Sequence, residues 1–180
     1  MGECLTPKES EMNRLEIRKA TADDFKKMLP IFREVIEGGD TYDFEETATD
    51  RDAFDYWFGK GVVSYVAVGG ESPTAKEKIL GFYKIIPNHR GRGSHVANAS
   101  FMVSSEARGK GIGRQMGEDC IRQAKAMGFK AIQFNFVIST NEPAMHLWNS
   151  LGFKELCRLP RAFDHKKLGY VDAVIFFREL

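Results

Sequence analysis

Apolar positions along the chain fall at two spacings, and the changes between them set an order of elements. Leu15 to Lys19 alternates apolar and polar residues, which predicts a first strand. Thr21 is a helix cap with Asp23 and Asp24 in the first turn. Phe25, Met28, Leu29, Phe32, Val35 and Ile36 then recur at helical spacing up to Gly38-Gly39. Thr49 or Asp50 starts a second helix through Phe54, Trp57 and Phe58. Val62 to Val68 and Ile79 to Pro87 read as paired strands joined by a turn over Gly69 to Lys78. His95 to Val103 is a strand, and Arg114 to Met127 a helix carrying Met116, Cys120, Ile121, Ala124 and Met127 on one face. Gly128 stops that helix, and Ala131 to Ile138 is a strand rich in aromatic and β-branched residues. A fourth helix begins near Asn141-Glu142-Pro143 and runs through Ala144, Leu147, Trp148 and Leu151 to Gly152. Lys154 to Arg158 and Val171 to Arg178 close the series as strands. A strand, a helix and a strand of these lengths imply a crossover between parallel neighbours. The fold class is therefore mixed α/β, a sheet flanked by about four helices.

Composition adds bounds. The 180 residues suit one domain over 15–180, behind a polar N-terminal extension at 1–14. Lysine and arginine number 26 against 25 aspartates and glutamates, a net charge of +1, so no basic field argues for nucleic acid or an anionic membrane. No apolar run reaches membrane-spanning length and residues 1–14 lack a signal-peptide core, so a cytoplasmic location is expected. Cys4, Cys120 and Cys157 are scattered and without metal-ligand spacing, and they read as idle thiols with no metal site.

Between the predicted central strand and helix lies Arg108-Gly109-Lys110-Gly111-Ile112-Gly113-Arg114. The first N–H groups of a helix have no partner within it, and the helix dipole adds positive potential there. Glycines let the backbone approach an anion, and the basic residues add mobile charge. The spacing is neither a Walker A loop nor a dinucleotide fingerprint. It is Arg-x-x-Gly-x-Gly, which resembles the pyrophosphate-binding motif of the GNAT acetyltransferases. A second stretch, Asn141-x-x-Ala144-x-x-Leu147-Trp148-x-x-Leu151-Gly152-Phe153, resembles the other GNAT signature and falls one strand after the central helix.

The resemblance covers about residues 15 to 178. It implies a splayed sheet in which the strand ending near Val103 diverges from Ala131–Ile138, with acetyl-CoA in the opening. The cofactor-binding residues so implied are Met102, Val103, Arg108, Gly109, Lys110, Gly111, Ile112, Gly113, Arg114, Asn141, Ala144 and Trp148. Trp148 stands where the family has a tyrosine taken as the acid for the leaving thiolate. Indole donates a hydrogen bond but delivers no proton, and a thiol pKa near ~8.5 makes thiolate a tolerable leaving group.

Ser94 to Ala99 and Phe134 to Val137 further resemble the fungal acetyltransferases that detoxify proline analogues such as azetidine-2-carboxylate. That likeness implies acceptor-binding and catalytic roles for Asn98 and Asn135. An asparagine in an apolar strand is costly unless its amide is bonded, so a structural role is the competing reading. The acidic, aromatic stretch Gly39 to Thr47 flanks the expected acceptor side, and Tyr42 and Phe44 are its substrate-binding candidates. His95 is a candidate base, although it falls out of phase with Asn98. The expected activity is acetyl transfer from acetyl-CoA to the amine of a small molecule, an amino acid or proline analogue. The alternatives are an acyl-CoA sensor without transfer and a protein or peptide acetyltransferase. The resemblance also implies a homodimer. Sequence leaves Pro160 to Tyr170 open as a dimer arm, a substrate wall or a loop.

Overall fold

A computed structural model describes residues 15–69 and 77–180. The N-terminal extension, Cys4 and most of the turn after Gly69 lie outside the described residues. Among the described residues, seven strands form one sheet: β1 (Glu16–Lys19), β2 (Val63–Gly69), β3 (Lys78–Pro87), β4 (Val96–Val103), β5 (Ala131–Ile138), β6 (Lys154–His165) and β7 (Gly169–Glu179). Their order is β1-β2-β3-β4-β5-β7-β6. Four α-helices accompany them: α1 (Phe25–Gly38), α2 (Asp50–Phe58), α3 (Ile112–Ala126) and α4 (Glu142–Ser150).

The helix starts follow from their caps. Thr21 and Asp24 form a capping box ahead of α1, and Arg18 grips the same Asp24 carboxylate with both terminal nitrogens at 2.9 Å. Those bonds hold the Asp24 carboxyl well below the usual carboxylate range, at the junction of β1 and α1. Thr49 and Asp52 make a second box for α2. Each face of the sheet carries its own core. On one face α1 and α2 cover Val66, Val68, Ile79, Phe82 and Met102. On the other, α3 and α4 cover Tyr83, Ile85, Ala97, Ala99, Ile132 and Phe134. Burial within that second core pushes the Cys120 thiol up, which makes it inert rather than nucleophilic.

Every pairing is antiparallel except β4 with β5. That parallel pair holds only at Val96↔Ala131 and Ala97↔Ile132 and then opens, so the central splay is present as expected. Asn98 Nδ2 donates to Gln133 O at 3.1 Å, replacing a ladder bond at the first open step. Further along, β5 bulges at Asn135 and Phe136 against β7.

The last two strands correct the sequence reading. β6 continues seven residues past Arg158, to His165, and the β6–β7 hairpin replaces most of the segment left open between Pro160 and Tyr170. A register shift between Leu159 and Phe163 hides it, because the residues there do not alternate cleanly. Arg161 takes φ 53° in that irregular step, and its N–H donates to Asp172 Oδ1 at 2.9 Å. The hairpin tip is tied back to the end of α1. Lys166 N donates to Gly39 O at 2.9 Å, and Lys166 Nζ reaches Glu37 O at 2.9 Å and Glu46 Oε1 at 2.5 Å.

Candidate active site

The loop from β4 to α3 is shaped by two glycines. Gly109 and Gly111 take φ 74° and 77°, values that favour a residue without Cβ. A Cβ on either would meet nothing within 4 Å, so it is conformation rather than crowding that selects glycine, and the loop faces open space. Ile112 anchors the loop from below and is buried. The N–H groups of Gly109 and Gly111 find no partner among the described residues, and those at the start of α3 lack intrahelical acceptors. Together they form a cradle for the oxygens of a pyrophosphate, as acetyl-CoA carries.

From this cradle a cavity of about 840 Å³ runs through the splay to the opposite face of the sheet. At the cofactor end it is lined by Val103, Arg108, Gly109, Gly111, Ile112 and Gly113, then by Asn141, Ala144, Leu147 and Trp148. Asn141 caps α4, its Oδ1 accepting from Ala144 N at 3.2 Å, so it fixes where that helix borders the opening. Beyond Ala97 the facing edges of β4 and β5 are not paired with each other, which leaves backbone groups to meet the amides of a pantetheine arm. The residues present thus fit acetyl-CoA.

The acceptor end is lined by Asp40, Tyr42, Asp43, Tyr56, Asn98, Ser100, Asn135, Phe136 and His165. Tyr42 OH donates to Phe101 O at 2.9 Å, and Tyr56 OH and Ser100 Oγ share a bond of 2.8 Å. Burial raises the Tyr56 phenol to about 12 and Tyr42 well above its ordinary value, so both stay protonated at neutral pH. Behind Tyr56 lies Lys84, only 4% exposed, its Nζ donating to Tyr56 O at 2.9 Å and standing 3.0 Å from the ring centre. Burial pushes the Lys84 ammonium down to about 7, against the opposing pull of Asp43.

The residues expected from sequence divide clearly. Met102, Val103, Arg108, Gly109, Gly111, Ile112, Gly113, Asn141, Ala144, Trp148, Tyr42, Asn98 and Asn135 all line the cavity. Lys110 and Arg114 lie outside the lining; Arg114 turns along α3 to Glu118 and across to Ser150 Oγ at 2.8 Å. Phe44 is also outside it, wedged edge-on between Phe32 and Tyr56 at 5.2 and 4.9 Å, where it supports the wall. His95 is exposed at the mouth of β4, its Nδ1 bonded to Arg92 O at 3.1 Å, and it does not reach the cavity. Trp148 is buried among Phe101, Phe134 and Phe153, with ring centres at 4.9, 4.4 and 5.7 Å. Asn135 sits in an amide chain, accepting from Gln133 Nε2 at 2.8 Å and donating to Asn88 Oδ1 at 2.7 Å. Tyr56, Ser100, Lys84, Asp40 and His165 escaped the sequence reading. Each is an isolated polar or aromatic residue in its own element, and no local spacing marks it.

Sequence and fold both resemble those of known proteins. The sequence matches the model of the acetyltransferase (GNAT) family over residues 27–153. The N-acetyltransferase aca1 of Schizosaccharomyces pombe is 36% identical over 152 residues, which span 78% of this chain and 73% of that protein. The structure of a GCN5-related N-acetyltransferase from Kribbella flavida superposes with a TM-score of 0.85 at 41% identity, over 92% of this chain and 98% of that one. A phosphinothricin acetyltransferase from Sinorhizobium meliloti, solved in complex with acetyl-CoA, shares the fold at a TM-score of 0.78 and 22% identity, over 92% and 88% of the two chains. Because the family match runs from α1 to the end of α4, and so takes in the glycine cradle and the splay alike, this chain belongs to the GNAT acetyltransferase family.

Proposed function

We propose that the protein transfers the acetyl group of acetyl-CoA to the amine of a small molecule, with amino acids and cyclic imino acids as the leading acceptors. One observation carries the reading: a single cavity joins the glycine cradle to an acceptor end that bears carboxylates and is walled by the hairpin tip. Bound acetyl-CoA supplies an activated acetyl thioester. Asp40 and Asp43 attract the acceptor as its ammonium ion, and the same carboxylates are the proton acceptors that end offers before attack. Tyr42 and Tyr56, held protonated, serve as donors and walls rather than bases. Asn98 and Asn135 orient the acceptor from the two sides of the splay; the Asn98 amide also bonds Gln133 O across the opening, and that of Asn135 bonds the side chains of Gln133 and Asn88. Trp148 contributes packing, since its indole is enclosed by three aromatic rings and holds no labile proton at useful pH. The hairpin tip, which Lys166 fastens to Glu37 and Glu46, walls this end and favours a small acceptor over a peptide.

The test is acetyl-CoA-dependent thiol release with azetidine-2-carboxylate, proline, other amino acids, polyamines and a short peptide. We expect release above the no-acceptor rate with a small amine. In Asp43→Asn we expect kcat/KM for that amine to fall about 10- to 100-fold with acetyl-CoA affinity retained. Binding of acetyl-CoA without transfer to any acceptor would instead favour an acyl-CoA sensor, and a preference for the peptide would favour protein acetylation.

A further inference from the structure

The hairpin tip brings one residue into the acceptor end that neither motif nor resemblance marks. His165 is 9% exposed and lines the cavity on the face covered by α1 and α2, the side opposite α3 and α4. Its position is fixed twice. Lys167 N donates to His165 Nδ1 at 3.1 Å, and the neighbouring Lys166 ties the tip to Gly39 and Glu37. Gly39 lets the tip sit that close: a Cβ there would come within 2.7 Å of Lys166 Cβ.

The bond to Nδ1 decides what the ring offers. With Nδ1 accepting, the ring's proton sits on Nε2, and Nε2 has no partner among the described residues. The imidazole therefore presents an N–H to the cavity. The reacting amine cannot be what it serves, because an ammonium has no lone pair and a free amine must keep its lone pair for attack. Among the acceptor's own groups, an oxygen is the one left to accept. Asp40 and Asp43, in the same end, suit the acceptor's positive charge. Carboxylates for an ammonium and an N–H for an oxygen are complementary to a zwitterion.

We infer that His165 is a specificity-determining residue that donates from Nε2 to the carboxylate of an α-amino or imino acid acceptor. This rests on the acetyltransferase reading above and narrows it to amines bearing a neighbouring carboxylate.

The experiment compares matched acceptors with and without the carboxylate: proline with pyrrolidine, and azetidine-2-carboxylate with azetidine. The wild-type protein should favour the carboxylate member of each pair by about tenfold or more in kcat/KM. His165→Phe should lower kcat/KM for the carboxylate members about 10- to 100-fold, chiefly through KM, and leave the decarboxylated members and the acetyl-CoA KM within about threefold. His165→Gln, whose amide nitrogen reaches the Nε2 position, should restore most of the preference. If His165→Phe does not fold, His165→Asn carries the same expectation, because its amide reaches only as far as Nδ1. Equal use of both members by the wild type, or an equal loss on both in the variant, overturns the role of His165 while the acetyltransferase reading stands. Acetyl-CoA binding with no transfer to any small amine overturns both.

Discussion

The two ends of the cavity are built in different ways. The cofactor end is made largely of main chain from two continuous stretches, 108–113 and 141–148, and its chemistry lies in N–H groups freed by left-handed glycines and a helix start. The acceptor end is made of side chains from five separate places: the loop after α1, the last turn of α2, β4, the bulge in β5 and the tip of the β6–β7 hairpin. A backbone site must hold a fixed shape and so tolerates little change in sequence. A side-chain site can be re-lined one residue at a time on an unchanged scaffold. The same contrast appears in electrostatics. The cofactor end presents main-chain dipoles and an exposed Arg108, whereas the acceptor end has a lysine buried behind Tyr56.

The largest test of that contrast is Gly111→Val. A β-branched residue strains the left-handed cap of α3 and projects into the open face of the cradle. We expect acetyl-CoA affinity, read by calorimetry, to fall by about 100-fold with the acceptor preference among small amines unchanged. A variant that bound acetyl-CoA normally would show that main-chain shape does not govern this end.

Lys84→Met probes the cost of charge at the other end. In the unfolded chain a lysine keeps its proton up to its ordinary pKa of ~10.4, whereas burial in the folded protein pushes Lys84 down to about 7. Between those values the unfolded state binds more protons, so Lys84 makes stability rise with pH across that window, and its full penalty applies below it. We expect Lys84→Met to be more stable than the wild type by about 1–2 kcal/mol at pH 6, with the gap closing toward pH 10. Urea unfolding across that range measures it, and a gap independent of pH would remove the buried charge as its cause.

The smallest expected effect is at Trp148. If the indole is packing alone, Trp148→Phe should change kcat by less than about threefold and cost about 1–2 kcal/mol of stability. A loss of turnover in a folded variant would return Trp148 to the chemistry.

The distinction between the two ends also explains what could be read in advance. Arg108-x-x-Gly111-x-Gly113 and the run from Asn141 to Phe153 are legible because a loop geometry and a helix cap impose residue types at fixed local spacing. Elements with clean periodicity were equally legible, and Ala131–Ile138 and Asp50–Phe58 stand where the pattern put them. Tyr42 and Phe44, as aromatics of one loop, look alike in sequence. Packing alone separates Tyr42, whose hydroxyl reaches Phe101 O at the cavity, from Phe44, which is clasped behind it. Asn98 and Asn135 stand out as polar residues in apolar strands; Asn98 bonds Gln133 O across the opening of the sheet, and Asn135, in the β5 bulge, bonds the side chains of Gln133 and Asn88. His95 stands just before β4, exposed and bonded to the preceding turn, away from the cavity.

By itself the sequence determined the order of strands and helices, the parallel crossover through α3 and the phosphate cradle. The elements and the cradle rest on interactions between residues near one another in the chain, and the crossover follows from the lengths of the strand, helix and strand that make it. Tertiary structure alone decided how far the hairpin extends and which faces meet around the acceptor. It brought Lys84 under Tyr56 and carried His165 across the molecule to the cavity that Asp40 and Asp43 also line. Those are contacts between residues tens of positions apart, set by strand register and helix docking, and no local spacing in the sequence encodes them.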